Sequence, residues 1–116
     1  MAVTRFEDLL VWQKSQDLAV LIYTHFSLCK DYGFKDQISR AIVSVSNNIA
    51  EGFERNSNAD FSRFLYISLG SISEVRSMLY LSVRLEIIST ELSEELIQKT
   101  NEISKMLYGL IQSMKK

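Results

Sequence analysis

The sequence predicts an all-α protein, an antiparallel up-down-up-down four-helix bundle that forms one domain over residues 1–116. Three observations indicate this fold class. The 116 residues include no proline and only 4 glycines, so little interrupts a helix. Apolar residues recur at steps of three and four in four segments, which is the spacing of helices with one buried face. No run alternates apolar and polar residues with the period of two that a half-buried strand requires.

The first two predicted helices cover residues 8–30 and 34–53. Gly33 stands between them as a residue suited to a left-handed cap on the first helix. Gly52 marks the weakening end of the second helix. The apolar positions that define these helices are Leu10, Leu18, Leu21, Ile22, Phe26 and Cys29 in the first, and Ile38, Ile42, Val45 and Ile49 in the second.

The third predicted helix covers residues 58–86, and the fourth follows the cap at Ser89-Thr90, with apolar positions as far as Met114. Ser57 with Asp60 is a variant of the capping box, and Ser89 provides the next cap. Within the third helix, Gly70 is small enough to permit close approach of a neighbouring backbone. The buried stripes of the two helices are Phe61, Phe64, Leu65, Ser68, Ile72, Val75, Leu79 and Val83, and Leu96, Thr100, Ile103, Leu107, Leu110 and Met114.

Charge and cysteine content exclude several classes of protein. The chain has 13 Lys+Arg and 14 Asp+Glu, a net charge of −1, whereas nucleic-acid binders usually carry a basic excess. Cys29 is the only cysteine and cannot form an intrachain disulfide, which fits a reducing compartment. Glu7 and Asp8 stand where a signal peptide needs its apolar core, and no stretch is long and apolar enough to span a membrane. We expect a cytoplasmic protein without membrane contact.

The third predicted helix is apolar over more of its circumference than one bundle core needs. About three positions in seven suffice for a core-facing stripe, and a helix that is apolar nearly all round is buried nearly all round. Four helices of one chain cannot cover one another on every side, so we expect a homo-oligomer. The alternative is that this helix is simply the best buried of the four. The expected interface residues of the first and third helices are Trp12, Tyr23, Tyr66, Leu69, Tyr80 and Leu81.

Polar residues also recur at helical spacing in the second predicted helix, beside its apolar stripe. We expect hydrogen bonds from this face to the third helix, with Asn48 bonded to Ser71. Either Arg40 or Arg55 would then pair with a carboxylate of Glu51 or Glu74. A solvated face and a ligand site are the two alternatives. The residues of the expected interhelical network are Gln37, Arg40, Ser44, Asn48, Glu51, Ser71 and Glu74.

Residues for catalysis or cofactor binding are sparse. His25 is the only histidine, and a di-metal site in a bundle needs two Glu-x-x-His pairs. Cys29 lies four residues after His25, so a Cys–His pair is the one nucleophilic alternative, although Cys29 belongs to the apolar stripe. The glycines occur singly, so no phosphate-binding loop is formed. We expect no metal, no cofactor, no small-molecule substrate and no enzymatic activity.

Residues spread from Phe6 to Leu110 carry a resemblance to a known family. The chain resembles the four-helix-bundle proteins encoded by intervening sequences of bacterial 23S ribosomal RNA genes, whose older label is ribosomal protein. The chain departs from them at residues 28–30, where the family often has a proline. The matching motifs are Phe6-Glu7-Asp8-Leu9, Val11-Trp12-Gln13-Lys14, Gln37-Ile38-Ser39-Arg40-Ala41, Ser44, Asn48-Ile49-Ala50-Glu51-Gly52, Phe61-Ser62-Arg63-Phe64-Leu65, Gly70-Ser71 and Glu74.

The resemblance implies a bundle assembled into a ring, a homopentamer, that acts as a binding or scaffold module of unknown process. It also implies kinship with the accessory variability protein of diversity-generating retroelements, a basic pentamer that binds nucleic acid and a reverse transcriptase. The net charge of −1 opposes the same role here, so RNA is the alternative partner. The residues that would contact it are Arg63, Arg76, Arg84, Lys115 and Lys116.

Overall fold

The computed structural model describes residues 3–115 and contains four long helices. A short 3-10 helix, Phe6–Asp8, precedes α1 (Leu10–His25), α2 (Tyr32–Phe53), α3 (Asn58–Arg84) and α4 (Thr90–Ser113). Each helix packs against the next, and α1 also packs against α4, so α1 and α3 lie at opposite corners of the bundle. The described chain measures 45 × 21 × 20 Å. The predicted all-α four-helix bundle is confirmed.

Serine caps set the first residues of α3 and α4. Ser57 Oγ accepts a hydrogen bond from the Asp60 amide at 3.1 Å, and Ser89 Oγ accepts one from the Leu92 amide at 3.1 Å. Each hydroxyl satisfies an amide that has no partner within the helix. Both caps stand where the sequence predicts them, because a cap depends only on residues within one turn.

The boundary between α1 and α2 differs from the prediction. α1 ends at His25 rather than near residue 30, and Gly33 does not cap it. Instead, the Asp31 carboxylate accepts a hydrogen bond from the Phe34 amide at 3.1 Å, so Asp31 is the N-cap of α2. Gly33 therefore falls in the first turn of α2, and no glycine in the described residues has a positive φ.

α3 ends in a left-handed residue that is not glycine. Glu86 has φ +60°, and the Ile87 amide donates to the Ser82 carbonyl at 2.8 Å. This hydrogen bond is the hallmark of a Schellman motif, in which glycine is the usual left-handed residue because it has no Cβ. Helix α3 therefore stops at Arg84, two residues before the predicted end, at some cost in backbone strain.

The core lies between all four helices and includes most of the predicted apolar stripes. Leu65, Ile72, Val75 and Leu79 of α3 are all fully buried. The largest fully buried side chains are Leu18, Ile22, Phe26, Ile38, Ile42, Ile49, Leu65, Ile72, Leu79, Leu96, Ile103 and Leu107. Helices α2 and α4 therefore both pack against the buried side of α3.

Helices α2 and α3 approach each other closely at Gly52, near the turn that joins them. A Cβ added to Gly52 would lie 2.5 Å from Cβ of Phe64 and 3.1 Å from Cδ1 of Phe61. The prediction that Gly70 permits such an approach within the chain is wrong. Gly70 faces outward, and no atom lies within 4 Å of a Cβ added there.

Candidate functional site

Polar residues at the seam between α2 and α3 form two separate hydrogen-bonded groups. Ser44 Oγ accepts hydrogen bonds from Asn48 Nδ2 and from Ser71 Oγ, each at 2.9 Å. Gln37 Nε2 donates to Glu74 Oε2 at 3.0 Å, in a more exposed position. The structure thus brings together five of the seven predicted residues. Asn48 and Ser71 meet through Ser44 rather than directly.

Arg40 and Glu51 do not join this seam. Arg40 Nε lies 2.8 Å from Asp36 Oδ2, and Glu51 Oε2 lies 3.4 Å from Arg55 Nη2. The predicted pairing of Arg40 with Glu51 or Glu74 is therefore wrong, whereas the contact between Glu51 and Arg55 is present. Both observed pairs join residues four apart, which are neighbours on a helix surface. Exposed pairs of this kind contribute about 0–1 kcal/mol each.

A deeper link between α2 and α3 was not predicted. Ser68 is fully buried, and its hydroxyl donates to the Val45 carbonyl at 2.8 Å. In the sequence, Ser68 is the only polar residue of the apolar stripe of α3. Its hydroxyl is buried with that stripe and therefore needs a buried hydrogen-bond acceptor. Among the described residues, every buried side-chain nitrogen and oxygen has a hydrogen-bond partner. The seam therefore fixes the register of α3 against α2.

The outward side of α3 carries exposed apolar side chains over about four turns. Tyr66 and Ile67 are 47% and 43% exposed, and Tyr80 and Leu81 are 60% and 44% exposed. Gly70 lies between the two pairs with open space above it. We call these five residues the α3 face. They point away from the core because α2 and α4 cover the opposite side of α3.

Two other predicted interface residues are covered by their own chain. Leu69 is only 8% exposed and belongs to the core, because it lies one turn from the buried Leu65 and Ile72. The prediction that Leu69 faces a partner is wrong. Trp12 is half-buried against the core, with its ring edge-on to Phe6 at a centroid distance of 5.4 Å.

Tyr23 borders a groove between α1 and α2, beside the corner opposite the α3 face. The groove has a volume of about 320 Å³, and Val20 and Tyr23 stand exposed at its edge. Gln16 Nε2 donates to Ser46 Oγ at 2.9 Å and so joins the two helices that form it. We call it the α1–α2 groove; its lining residues are Gln16, Ala19, Val20, Tyr23, Thr24, Val43 and Ser46. Tyr23 was predicted as an interface residue, but the groove depends on how α1 packs and could not be predicted.

The candidate nucleic-acid contacts do not form one cluster. Arg63 Nη2 lies 3.5 Å from Asp60 Oδ1, and the Arg63 guanidinium lies 4.7 Å from the centre of the Phe64 ring. Arg76 Nη1 donates to Asn101 Oδ1 at 3.1 Å and so bridges α3 to α4.

The remaining basic candidates lie at the two ends of the bundle. Arg84 is the last residue of α3 and Lys115 follows α4, so they stand at opposite ends because these helices are antiparallel. Lys116 lies outside the described residues.

Two further properties of the described chain bear on function. No three His, Cys, Asp or Glu side chains within residues 3–115 are placed to hold a metal ion. None of the four helices combines the length and apolarity that a membrane span requires.

Comparison with known proteins places the chain in a family. A family model described as 23S rRNA-intervening sequence protein matches residues 7–109. A crystal structure of a protein of unknown function from the S23 ribosomal protein family of Bacteroides thetaiotaomicron VPI-5482 is similar, with 33% identity and a TM-score of 0.82. That similarity covers 88% of this chain and 98% of the other. No curated protein matches. Since the family model spans most of the sequence, the chain belongs to the 23S rRNA-intervening sequence protein family.

Proposed function

We propose that this chain is a non-enzymatic, self-associating four-helix bundle that acts as an oligomeric binding or scaffold module in the cytoplasm. The observation that carries the proposal is the α3 face, where four large apolar side chains are each more than two-fifths exposed. Burying a fully exposed apolar side chain is worth about 1.5–3 kcal/mol, and each of these side chains, which is about half covered already, would contribute about half of that. A second protein surface would remove the α3 face from water.

The distribution of tyrosine supports the proposal. Tyrosine is enriched at protein interfaces because it combines a large apolar ring with a polar hydroxyl. None of the five tyrosines of this chain lies in the core, and each is about half exposed or more. These residues are Tyr23, Tyr32, Tyr66, Tyr80 and Tyr108.

A closed ring is the assembly that we propose, with five copies as the resemblance implies. A patch that contacts a different patch on the next copy generates either a ring or an open filament. In a closed ring the α3 face of every copy is covered, whereas an open filament leaves one α3 face exposed at its end. A ring is therefore the assembly that buries the apolar surface of every copy. The proposed location in the cytoplasm is supported by Cys29, which is the only cysteine and is unpaired.

The hydrogen bonds of the α2–α3 seam support a structural role rather than catalysis. Asn48 and Ser71 each donate a hydrogen bond to the Ser44 hydroxyl, and the Gln37 amide donates one to the Glu74 carboxylate. Groups bonded in this way hold two helices in register. We therefore assign the seam to stability and the α3 face to assembly.

The test compares the solution mass of the wild-type protein with that of Tyr80→Glu. A carboxylate buried within an apolar interface is strongly unfavourable, so we expect Tyr80→Glu to shift the oligomer toward monomer by light scattering. Leu28→Glu is the control, because Leu28 is exposed in the turn after α1 and does not belong to the α3 face. Circular dichroism should show the same helix content in all three proteins. Equal masses for Tyr80→Glu and the wild type would overturn the proposed role of the α3 face.

The alternative function is RNA binding, and one arrangement favours it. Arg63 and Arg84 flank Tyr66 and Tyr80 on the outward side of α3, and single-stranded nucleic acids bind surfaces that alternate basic and aromatic side chains. A gel-shift titration with structured and single-stranded RNA over a range of salt concentrations tests it. RNA binding predicts an affinity that falls with salt and with Arg84→Glu, and no binding at low salt would end this alternative.

A further inference from the structure

The four seams between neighbouring helices are not held together equally. Between α2 and α3, Ser68 Oγ donates a buried hydrogen bond to the Val45 carbonyl at 2.8 Å. Between α3 and α4, Ser93 Oγ donates a buried hydrogen bond to the Leu79 carbonyl at 2.9 Å. Breaking a buried bond of this kind leaves its acceptor unpaired until water reaches it, which is unfavourable. Helices α2, α3 and α4 are therefore joined to one another in the interior of the bundle.

The seam between α1 and α4 is held more weakly. Within residues 3–115, its one polar link is the ion pair of Lys14 Nζ with Glu102 Oε2 at 3.4 Å, and both side chains are more than a third exposed. Exposed ion pairs contribute little to stability. A cavity of about 70 Å³ also lies at this seam, and its lining includes Leu18, Leu21 and Ile103. The atoms around a cavity lack contacts on one side, so the two helices are loosely packed here.

The seam between α1 and α2 is linked only near the protein surface. In the described chain, the one side-chain hydrogen bond between these helices is that of Gln16 Nε2 to Ser46 Oγ, which is partly buried and borders the α1–α2 groove. Helix α1 is also the shortest of the four, with 16 residues against 22, 27 and 24. It contributes two of the largest fully buried side chains, Leu18 and Ile22, whereas each other helix contributes three.

The turn after α1 leaves that helix room to move. Residues 26–31 separate α1 from α2, whereas four residues, 54–57, separate α2 from α3 and five, 85–89, separate α3 from α4. Leu28, within the longest of these turns, is 89% exposed. In the part of the chain that the structure describes, this turn is the only covalent connection between α1 and the other three helices. Helix α1 therefore has the weakest attachment of the four.

We propose that α1 detaches from the bundle as one unit, at a smaller free energy than global unfolding, while α2, α3 and α4 stay packed together. Segments with few buried links open more readily than the molecule as a whole. The 3-10 helix Phe6–Asp8 moves with α1, because the Phe6 ring packs on Trp12. Detachment uncovers Ile103, which is 1% exposed while α1 is in place, so α1 acts as a lid over an apolar surface of α4. Self-association is not required for this movement.

The test is native-state hydrogen exchange at one fixed protein concentration. After correction for intrinsic rates, we expect the hydrogen-bonded amides of α1 to exchange faster than those of α3 around Ile72 by a factor of about ten or more. Exchange in α1 should also accelerate with urea, with a smaller slope than in α3, because detachment exposes only part of the surface that global unfolding exposes. Equal rates and slopes in the two helices would overturn the proposal. So would exchange in α1 that does not respond to urea, because that result indicates local fraying.

Two substitutions distinguish detachment of α1 from global unfolding. The hydrogen bond of Ser68 to Val45 persists when α1 detaches and is lost only in global unfolding. Ser68→Ala should therefore accelerate exchange in α3 about fivefold and leave exchange in α1 unchanged. The hydrogen bond of Gln16 to Ser46 is lost in both movements, so Gln16→Ala is the control and should accelerate exchange in α1 and α3 by the same factor. Equal acceleration of both helices by Ser68→Ala would show that α1 opens only with the whole bundle.

Thiol labelling gives a second measurement, which follows side chains instead of amides. In a Cys29→Ser background, Ser15→Cys places a thiol on α1 and Ser68→Cys places one on α3, and both serines are fully buried. Detachment of α1 exposes only the first thiol, so we expect Ser15→Cys to react with a maleimide faster than Ser68→Cys by a factor of about ten or more. Loss of the Ser68 hydrogen bond itself speeds labelling of the second variant, which makes the comparison stricter. Equal labelling rates in the two folded variants would contradict the lid.

Discussion

Replacement of Gly52 by alanine tests the packing of α2 against α3. The added Cβ would lie 2.5 Å from Cβ of Phe64, and 3.1 and 3.2 Å from the rings of Phe61 and Phe64. Because the closest atom is a Cβ, a change of rotamer cannot relieve the clash, and α3 itself must move away from α2. Overpacking of this kind costs about 1–3 kcal/mol.

The helix propensity of alanine offsets part of this cost. Alanine is favoured over glycine in a helix interior by up to about 1 kcal/mol, and by less at Gly52, which lies in the last turn of α2. We therefore expect Gly52→Ala to lower the free energy of unfolding by about 1–2 kcal/mol. For a chain of this size, that change lowers the melting temperature by about 4–8 °C.

The assay is urea unfolding followed by circular dichroism, at one fixed protein concentration because the stability of an oligomer depends on concentration. Gly109→Ala is the matched control, since Gly109 lies within α4 and no atom is within 4 Å of a Cβ added there. We expect Gly109→Ala to stabilise the protein by about 0.5–1 kcal/mol. If Gly52→Ala proved as stable as the wild type, the close contact between Gly52 and Phe64 would be refuted.

Three further substitutions test local features of the fold by the same unfolding assay. Glu86→Gly should stabilise the protein by about 0.5–1 kcal/mol, because glycine adopts φ +60° without strain, whereas Glu86→Ala should bring no such gain. Ser68→Ala should destabilise it by about 1 kcal/mol through loss of the buried hydrogen bond to Val45, and Ser73→Ala, at an exposed position of the same helix, should change little. Ser57→Ala should lower the free energy of unfolding by about 1 kcal/mol, because it removes the cap of α3. Ser57→Asp should retain most of the wild-type stability, since a carboxylate can also cap the helix. Equal stability of Ser57→Ala and Ser57→Asp would contradict the cap.

Features that depend on neighbouring residues in the sequence were predictable. The Ser57 and Ser89 caps and the starts of α3 and α4 follow from residues within one helical turn. The predicted boundary between α1 and α2 is wrong because two local patterns compete there. Gly33 suits the end of one helix, and Asp31 suits the start of the next. The carboxylate cap prevails, since it satisfies a helix amide that glycine cannot.

Features that depend on packing between helices were predicted only in part. The sequence identifies Ser44, Asn48 and Ser71 as one polar group, but it does not show that Ser44 stands between the other two. The sequence alone does not tell which of the two glycines, Gly52 or Gly70, lies against a neighbouring helix. The packing of α3 decides this: Gly52 contacts α3, and Gly70 faces open space.

The partner of Arg40 is a local feature that the sequence analysis nevertheless missed. Asp36 lies four residues before Arg40 and is its partner, although the sequence also offers carboxylates on another helix.

The solution mass of the wild-type protein tests self-association most directly. The measurement is multi-angle light scattering over protein concentrations from the micromolar range upward. A ring of five chains of 13.4 kDa predicts a mass of about 67 kDa that does not change with concentration. A stable dimer would contradict the ring, and a mass of 13.4 kDa throughout would contradict self-association itself.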